Sequence, residues 1–280
     1  MLLKPSNQTN LYGLENILSE LINLYNKNKF PNKILLSGQK GIGKCTLAYH
    51  FINYVLSIDE DFSYDLEKNK INLENKSFKL IQNQSNPNFT IIDILPDKKM
   101  IEIGQIRNLI LNMNKSSFNS KPRFVLIDNI EYLNQNSVNA LLKTLEEPNE
   151  NIFFILIHNQ KNVLSTLKSR CLDFKVFFTN QKSLEITNQI LEDDIYEIVN
   201  KDLLNYYITP GNIYCLVKFS QENKIDLKNI NLNQFLKTII RENYYKKNNK
   251  IKYFLFDFIE LFLMKTSNLL KFENHSYFLK

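Results

Sequence analysis

Glycine and proline are scarce in this chain, at 6 and 7 of 280 residues. Their combined share is well under the roughly 12% usual in globular proteins. A turn-rich sandwich or barrel is therefore excluded, and helices are expected to dominate. Cysteine is scarce too. Cys45, Cys171 and Cys215 are odd in number and far apart, so no disulfide framework is read from them. No pair has CxxC spacing, which removes a structural zinc site and fits a reducing, cytoplasmic setting. Long apolar runs are missing as well. The N-terminal MLLKPSNQTN has no apolar core of a signal peptide, and Tyr253 to Met264 is cut by Asp257 and Glu260, too short and too charged for a bilayer. That stretch has helical spacing and reads as a packing helix, so no membrane partner is expected.

What is present begins with an ordinary soluble composition, 44% hydrophobic and 23% charged. Disorder and collagen are thereby excluded. The formal charge is +6. Residues 223–280 carry 11 Lys and Arg against 5 Asp and Glu, so the whole excess lies in the tail. Net charge therefore says little about nucleic-acid contact by the rest of the chain.

Strand and helix patterns alternate up to about residue 178. Leu14 to Tyr25 reads as an amphipathic helix, and Lys33 to Ser37 (KILLS) as a strand buried on both faces. A helix follows over Lys44 to Ser57, then a polar, irregular stretch over Asp59 to Asn75. Strands are expected at Phe89 to Ile94, Phe124 to Ile127, Ile152 to Ile157 and Phe174 to Phe178, with helices at Ile103 to Met113 and Asn136 to Glu147. This is the pattern of an α/β fold with a parallel sheet. Beyond it the chain reads as helices. The break between the two patterns is expected near Thr179 to Lys182.

Three of the six glycines, Gly38, Gly41 and Gly43, fall in GQKGIGKCT, residues 38–46. The loop follows a strand and opens a helix, the context a phosphate-binding loop requires. Its glycines let backbone N–H groups turn inward, and the helix start adds unpaired N–H groups and a positive dipole end. Lys44 supplies a point charge for terminal phosphates. The next position normally offers a hydroxyl to Mg²⁺; here it is Cys45, and a thiol serves a hard cation poorly. Thr46 lies about 100° further round the helix and does not replace it. The strand FVLI runs into Asp128, and an apolar strand ending in Asp is the second half of a phosphoryl-transfer site, where the Asp binds Mg²⁺ directly or through water. Asn129 follows, where a neutral amide cannot accept a proton from water. Glu131 lies two residues on. The loop reads as one that holds ATP or ADP with Mg²⁺ poorly served, and no cofactor is required.

GQKGIGKCTLA, IDNIEYLNQNSV, NALLKTLEEP (139–148) and LSTLKSRC (164–171) together resemble bacterial DNA polymerase III clamp-loader subunits of the AAA+ class. The resemblance covers residues 1 to about 178 and implies an AAA+ core over 1–178, a small helical lid over 179–222 and a helical C-terminal collar segment over 223–280. Within that family the ATP-hydrolysing gamma/tau branch has an intact GKT or GKS, an Asp-Glu pair and four zinc-binding cysteines. Cys45 and Asn129 depart from it, and those cysteines are missing. A weakened loop, SRC, and SNPNF at 85–89 look like the delta-prime branch.

The resemblance implies that Arg170, following Ser169, reaches into a neighbour's ATP site as an arginine finger. It further implies the gamma/tau and delta subunits, the sliding clamp and primer-template DNA as partners. IEIGQIR (101–107) matches the family near its DNA-facing side, which makes Arg107 a candidate phosphate contact. A lid arginine expected within Pro210 to Leu216 is missing, which again opposes self-catalysed hydrolysis. Cys171 reads as a small buried residue, and His50, His158 and His275 as structural. The basic, aromatic stretch 241–253 reads as a solvated helix end. Two other readings stay open: a gamma/tau-like ATPase that tolerates Cys45, and a free-standing DNA-binding AAA+ protein.

Overall fold

A computed structural model describes residues 4–96, 98–113, 119–146, 151–159, 165–204, 209–247, 255–256 and 258–266. Glu147 and Pro148 of the LEEP motif, Leu164, residues 248–254, Asp257 and His275 lie outside the described residues. The chain divides into two compact units, residues 1–182 and 183–280.

The first unit is built on five parallel strands: β1 (Lys33–Ser37), β2 (Phe89–Ile92), β3 (Arg123–Ile127), β4 (Ile152–His158) and β5 (Leu172–Lys175). Their order is β2-β3-β4-β1-β5. Strand residues alternate between two apolar layers, as a period of two demands. Ile34, Leu36, Phe124, Leu126, Ile155 and Ile157 enter one layer. Leu35, Val125, Ile127, Phe154 and Leu156 enter the other. That explains the unbroken apolar runs in the central strands: both faces are covered by helices.

Helices α1 (Glu15–Asn26) and α2 (Lys44–Leu56) cover the first face, and α4 (Ile103–Met113) and α5 (Gln135–Glu146) the second. Phe30 stacks on Phe51 at 4.7 Å, and Phe124 on Phe153 at 5.4 Å. At about 25 cal/mol per Å² of apolar area removed from water, such large side chains dominate the core's stability.

Two differences from the sequence reading have physical causes. The last strand is Leu172–Lys175 rather than 174–178. It is fixed by pairing with β1, Ile34 opposite Leu172 through Ser37 opposite Lys175, although Leu172 is exposed. The more apolar run that follows keeps one bond to β1 through Val176 and then leaves the sheet, with Phe177 79% exposed. The polar stretch 59–75 holds only turns and isolated bridges, but it ends in an unforeseen helix, α3 (Lys76–Gln82). Asn75 caps α3 by accepting from the Phe78 N–H at 2.7 Å.

Helix α6 (Ser165–Lys168) precedes β5, and α7 (Asn180–Leu191) leads into the second unit, which holds α8 (Ile195–Ile198), α9 (Lys201–Leu204), α10 (Pro210–Asn223), α11 (Leu232–Arg241) and α12 (Tyr244–Lys247). Residues 258–266 are also helical. Residues from both the 179–222 and 223–280 stretches share one apolar cluster, including Leu203, Ile213, Phe235 and Phe258. A capping box, Asn231 with Gln234, starts α11. Among the described residues no helix is long and apolar enough to cross a membrane.

Candidate nucleotide site and arginine turn

The glycine loop joins β1 to α2 at the carboxyl edge of the sheet, where parallel α/β folds place their ligand sites. Its glycines are conformational requirements. Gly41 and Gly43 have φ of +83° and +98°, and Gly43 is the N-cap of α2. At Gly38 a Cβ would stand 2.1 Å from the Val176 carbonyl oxygen. That close approach follows from the sheet, since the Val176 N–H donates to the Ser37 carbonyl at 2.7 Å.

Lys44 is only 3% exposed and folds back on its own loop. Its ammonium donates to the carbonyls of Gly38 at 2.9 Å and Gln39 at 2.6 Å. Burial pulls its pKa down to about 8, against the opposing pull of Asp128 and Glu131. The half-buried Cys45 hydrogen-bonds to the Asp128 carboxylate, and desolvation, with Asp128 and Asp93 nearby, pushes the thiol well above its usual range. It is thus a protonated S–H donor. Asp128 itself is raised to about 6, first by burial and then by Asp93, while the Asn129 N–H holds one of its oxygens at 2.8 Å.

Two residues in this cluster were not foreseen. Asp93, just beyond β2, accepts from the Asn129 side-chain amide at 2.7 Å. Asn159, just beyond β4, donates to the Asn129 side-chain oxygen at 3.0 Å, and its N–H reaches the Glu131 carboxylate at 3.4 Å. The sheet order sets β2, β3 and β4 side by side, so their ends converge. Asn129 has φ of +57°, a left-handed conformation that asparagine tolerates well.

The loop therefore fits a polyphosphate: glycines with positive φ, a helix start capped by a residue without a side chain, and a lysine. Mg²⁺ fits poorly. The position next to Lys44 presents a protonated thiol that already donates to Asp128, and no three-residue group of His, Cys, Asp or Glu suited to a metal occurs among the described residues. Thr46, one residue on, is half-buried.

Arg170 lies at the other edge of the sheet. It precedes Leu172, which pairs with Ile34 near the start of β1, whereas the glycine loop leaves the far end of β1. Four residues of strand, roughly 13 Å at 3.3 Å each, separate those levels. Its guanidinium donates to the Thr166 carbonyl at 2.9 Å and to Glu146 at 2.7 Å. Ser169 Oγ also donates to the Thr166 carbonyl, at 3.2 Å. Cys171 is half-buried, and desolvation raises its thiol to about 11, so it is no nucleophile at neutral pH. The structure thus brings Gly38, Gly41, Gly43, Lys44, Cys45 and Asp128 into one cluster and sets Ser169 and Arg170 apart from it. Arg107 is exposed on α4 and belongs to neither group. His50 is buried, its ring bonded to Tyr64 Oη at 2.8 Å and the Gln8 carbonyl at 3.1 Å.

The strand order, with the glycine loop after the inner strand β1 and Asp128 after β3, defines an AAA+ P-loop α/β core. Residues 13–179 match the family model described as DNA polymerase III, delta subunit. The chain belongs to that family. It is 31% identical over 186 residues to DNA polymerase III subunit gamma of Buchnera aphidicola, covering 65% of this chain and 48% of the relative. It is 31% identical over 139 residues to subunit delta' of Pseudomonas aeruginosa, covering 49% and 40%. The chain spans about half or less of the length of these relatives. Among solved structures, a gamma subunit-related protein of Thermotoga maritima is 20% identical with a TM-score of 0.44, covering 81% of this chain and 64% of that one.

Proposed function

We propose that this chain is a delta-prime-like, non-hydrolysing subunit of the DNA polymerase III clamp loader, lending Arg170 to the ATP site of a neighbouring gamma/tau subunit. The single observation that carries this reading is the placement of Arg170. It stands at the amino edge of β5, whereas the chain's own glycine loop stands at the carboxyl edge of β1, its register partner. An arginine so placed cannot serve its own loop and is available to another chain. The nucleotide cluster supports the same reading. Lys44 is tied to its own carbonyls, Cys45 donates to Asp128, and Asn129 offers no base. The cluster keeps the shape of a nucleotide site without the means of turnover.

In this role the subunit works with gamma/tau and delta to place the sliding clamp on primer-template DNA in the cytoplasm. Arg170 supplies positive charge where charge spreads over the neighbour's transferring phosphoryl group, with Ser169 in the same turn. The loop, through Gly38, Gly41, Gly43, Lys44 and Thr46, holds ATP or ADP as a structural ligand, with neither ligand needed for the subunit's role. The first unit is the AAA+ core, residues 179–222 act as the lid and 223–280 as the collar. Arg107 is offered as a DNA phosphate contact.

The test is a reconstituted loader containing Arg170→Ala. DNA-stimulated ATP hydrolysis is expected to fall about 100-fold or more, since arginine fingers are worth about 10³–10⁵ in rate. Unchanged hydrolysis overturns the role. The isolated chain is expected to turn over no ATP. Robust turnover abolished by Lys44→Ala would instead establish a gamma/tau-like ATPase, a reading supported by the similarity to the Buchnera gamma subunit.

A further inference from the structure

We propose that Glu146 is the positioning residue of Arg170: it holds the guanidinium at rest and yields it to a polyphosphate. This rests on the trans role proposed above and adds the residue that governs it.

Glu146 is the last residue of α5, and its carboxylate stands 2.7 Å from the Arg170 guanidinium. A helix C-terminus carries the negative end of the dipole, so a carboxylate there is locally unfavourable and calls for a cation. Lys143 lies in the last turn itself, and two cations from other elements also meet this end of α5. Lys33 on β1 donates to the Leu145 carbonyl at 2.7 Å and fixes the helix end against the sheet. Arg170 takes the Glu146 side chain. The acid is therefore held in place by α5 and β1, not merely drifting near the arginine.

The two contacts of Arg170 differ in kind. The Thr166 carbonyl belongs to the backbone of the arginine's own turn and keeps the guanidinium aimed. The Glu146 pair is exposed, at 35% and 52% for the two side chains, and solvent-screened pairs are weak and readily exchanged. A guanidinium has five donors and prefers bidentate phosphate to a single carboxylate oxygen. A polyphosphate arriving from a neighbour replaces Glu146 and leaves the Thr166 bond intact. The negative charge of Glu146 opposes that arrival until the exchange is made. It thereby sets the ATP level at which the arginine engages.

The experiment uses the reconstituted loader with ATP as the probe. Glu146→Gln keeps the shape and removes the charge. Its KM for ATP is expected to fall by about two- to fivefold, the range set by exposed ion pairs, with the change carried by KM rather than kcat. Glu146→Asp is expected to restore the original KM. In an Arg170→Ala background the Glu146→Gln shift is expected to vanish, since the coupling runs through that one guanidinium. An unmoved KM, a loss of kcat at constant KM, or a shift that persists without Arg170 overturns the positioning role. If Arg170→Ala alone leaves hydrolysis unchanged, the trans role falls and this proposal with it. Both side chains are exposed, so thermal melts are expected to show all variants folded.

Discussion

At the carboxyl edge of the sheet, Lys44 is buried and Asp128 half-buried, and their bonds close on the protein itself. At the amino edge, Arg170 is half in water and holds an acid that it can exchange. The contrast shows where each region stores free energy. Buried charge is costly, and the nucleotide cluster persists because loop geometry over-determines it. The arginine turn costs the fold little, so its chemistry can be removed without unfolding the chain.

The largest expected effect comes from breaking the geometry of the first region. Gly38→Ala drives a Cβ against the Val176 carbonyl, a backbone atom that cannot swing away. A loss of about 3 kcal/mol or more is expected in urea unfolding. The next test concerns pH. Burial lowers His50 on α2 to about 4, against an ordinary value of 6.5. Between those values the unfolded chain binds more protons, so stability is full above pH 6.5 and is lost as pH falls toward 4. The loss approaches about 3 kcal/mol. Melting the protein across pH 4–7 checks this, and His50→Gln is expected to flatten the slope.

Asp128 has the opposite sign. Its native value of about 6 lies above the ordinary 3.8, so the native state holds its proton more tightly and stability declines as pH rises through that window. At pH 7 the strain is complete. Asp128→Asn is therefore expected to stabilise the chain by about 1–3 kcal/mol, read as a higher Tm that disappears near pH 4. The smallest effect belongs to the exposed region. Arg170→Ala is expected to change unfolding free energy by less than about 1 kcal/mol. A large loss there would erase the contrast between the two edges.

Much of this was readable in advance where a residue answers to its neighbours in sequence. The glycines of 38–43 announce positive φ, and KILLS and FVLI announce strands covered on both faces. The Asp93 and Asn159 contacts were not readable, because only the order β2-β3-β4 brings their strand ends beside Asn129. The position of β5 is not readable for the same reason. Its bounds come from pairing with β1, which outweighs the apolar appeal of Val176 to Phe178. Helix α3 is not readable from its residues because its start depends on a buried cap, Asn75, set in an otherwise polar stretch. The partnership of Arg170 with Glu146 spans 24 residues and needs the end of α5 to be placed first.

The parallel pairing of β1 with β5 has a consequence for assembly symmetry. It puts the nucleotide loop and the arginine on opposite ends of the same two strands. A chain that gives at one edge and receives at the other cannot satisfy both through a two-fold contact, in which each partner would present the same edge. If Arg170 serves in trans as proposed, its neighbours follow one another head to tail, each pair of chains meeting through two different surfaces. Such a contact has a direction. Along such a row a first and a last member would be distinct places, and a non-hydrolysing member as proposed would belong where only its arginine is used.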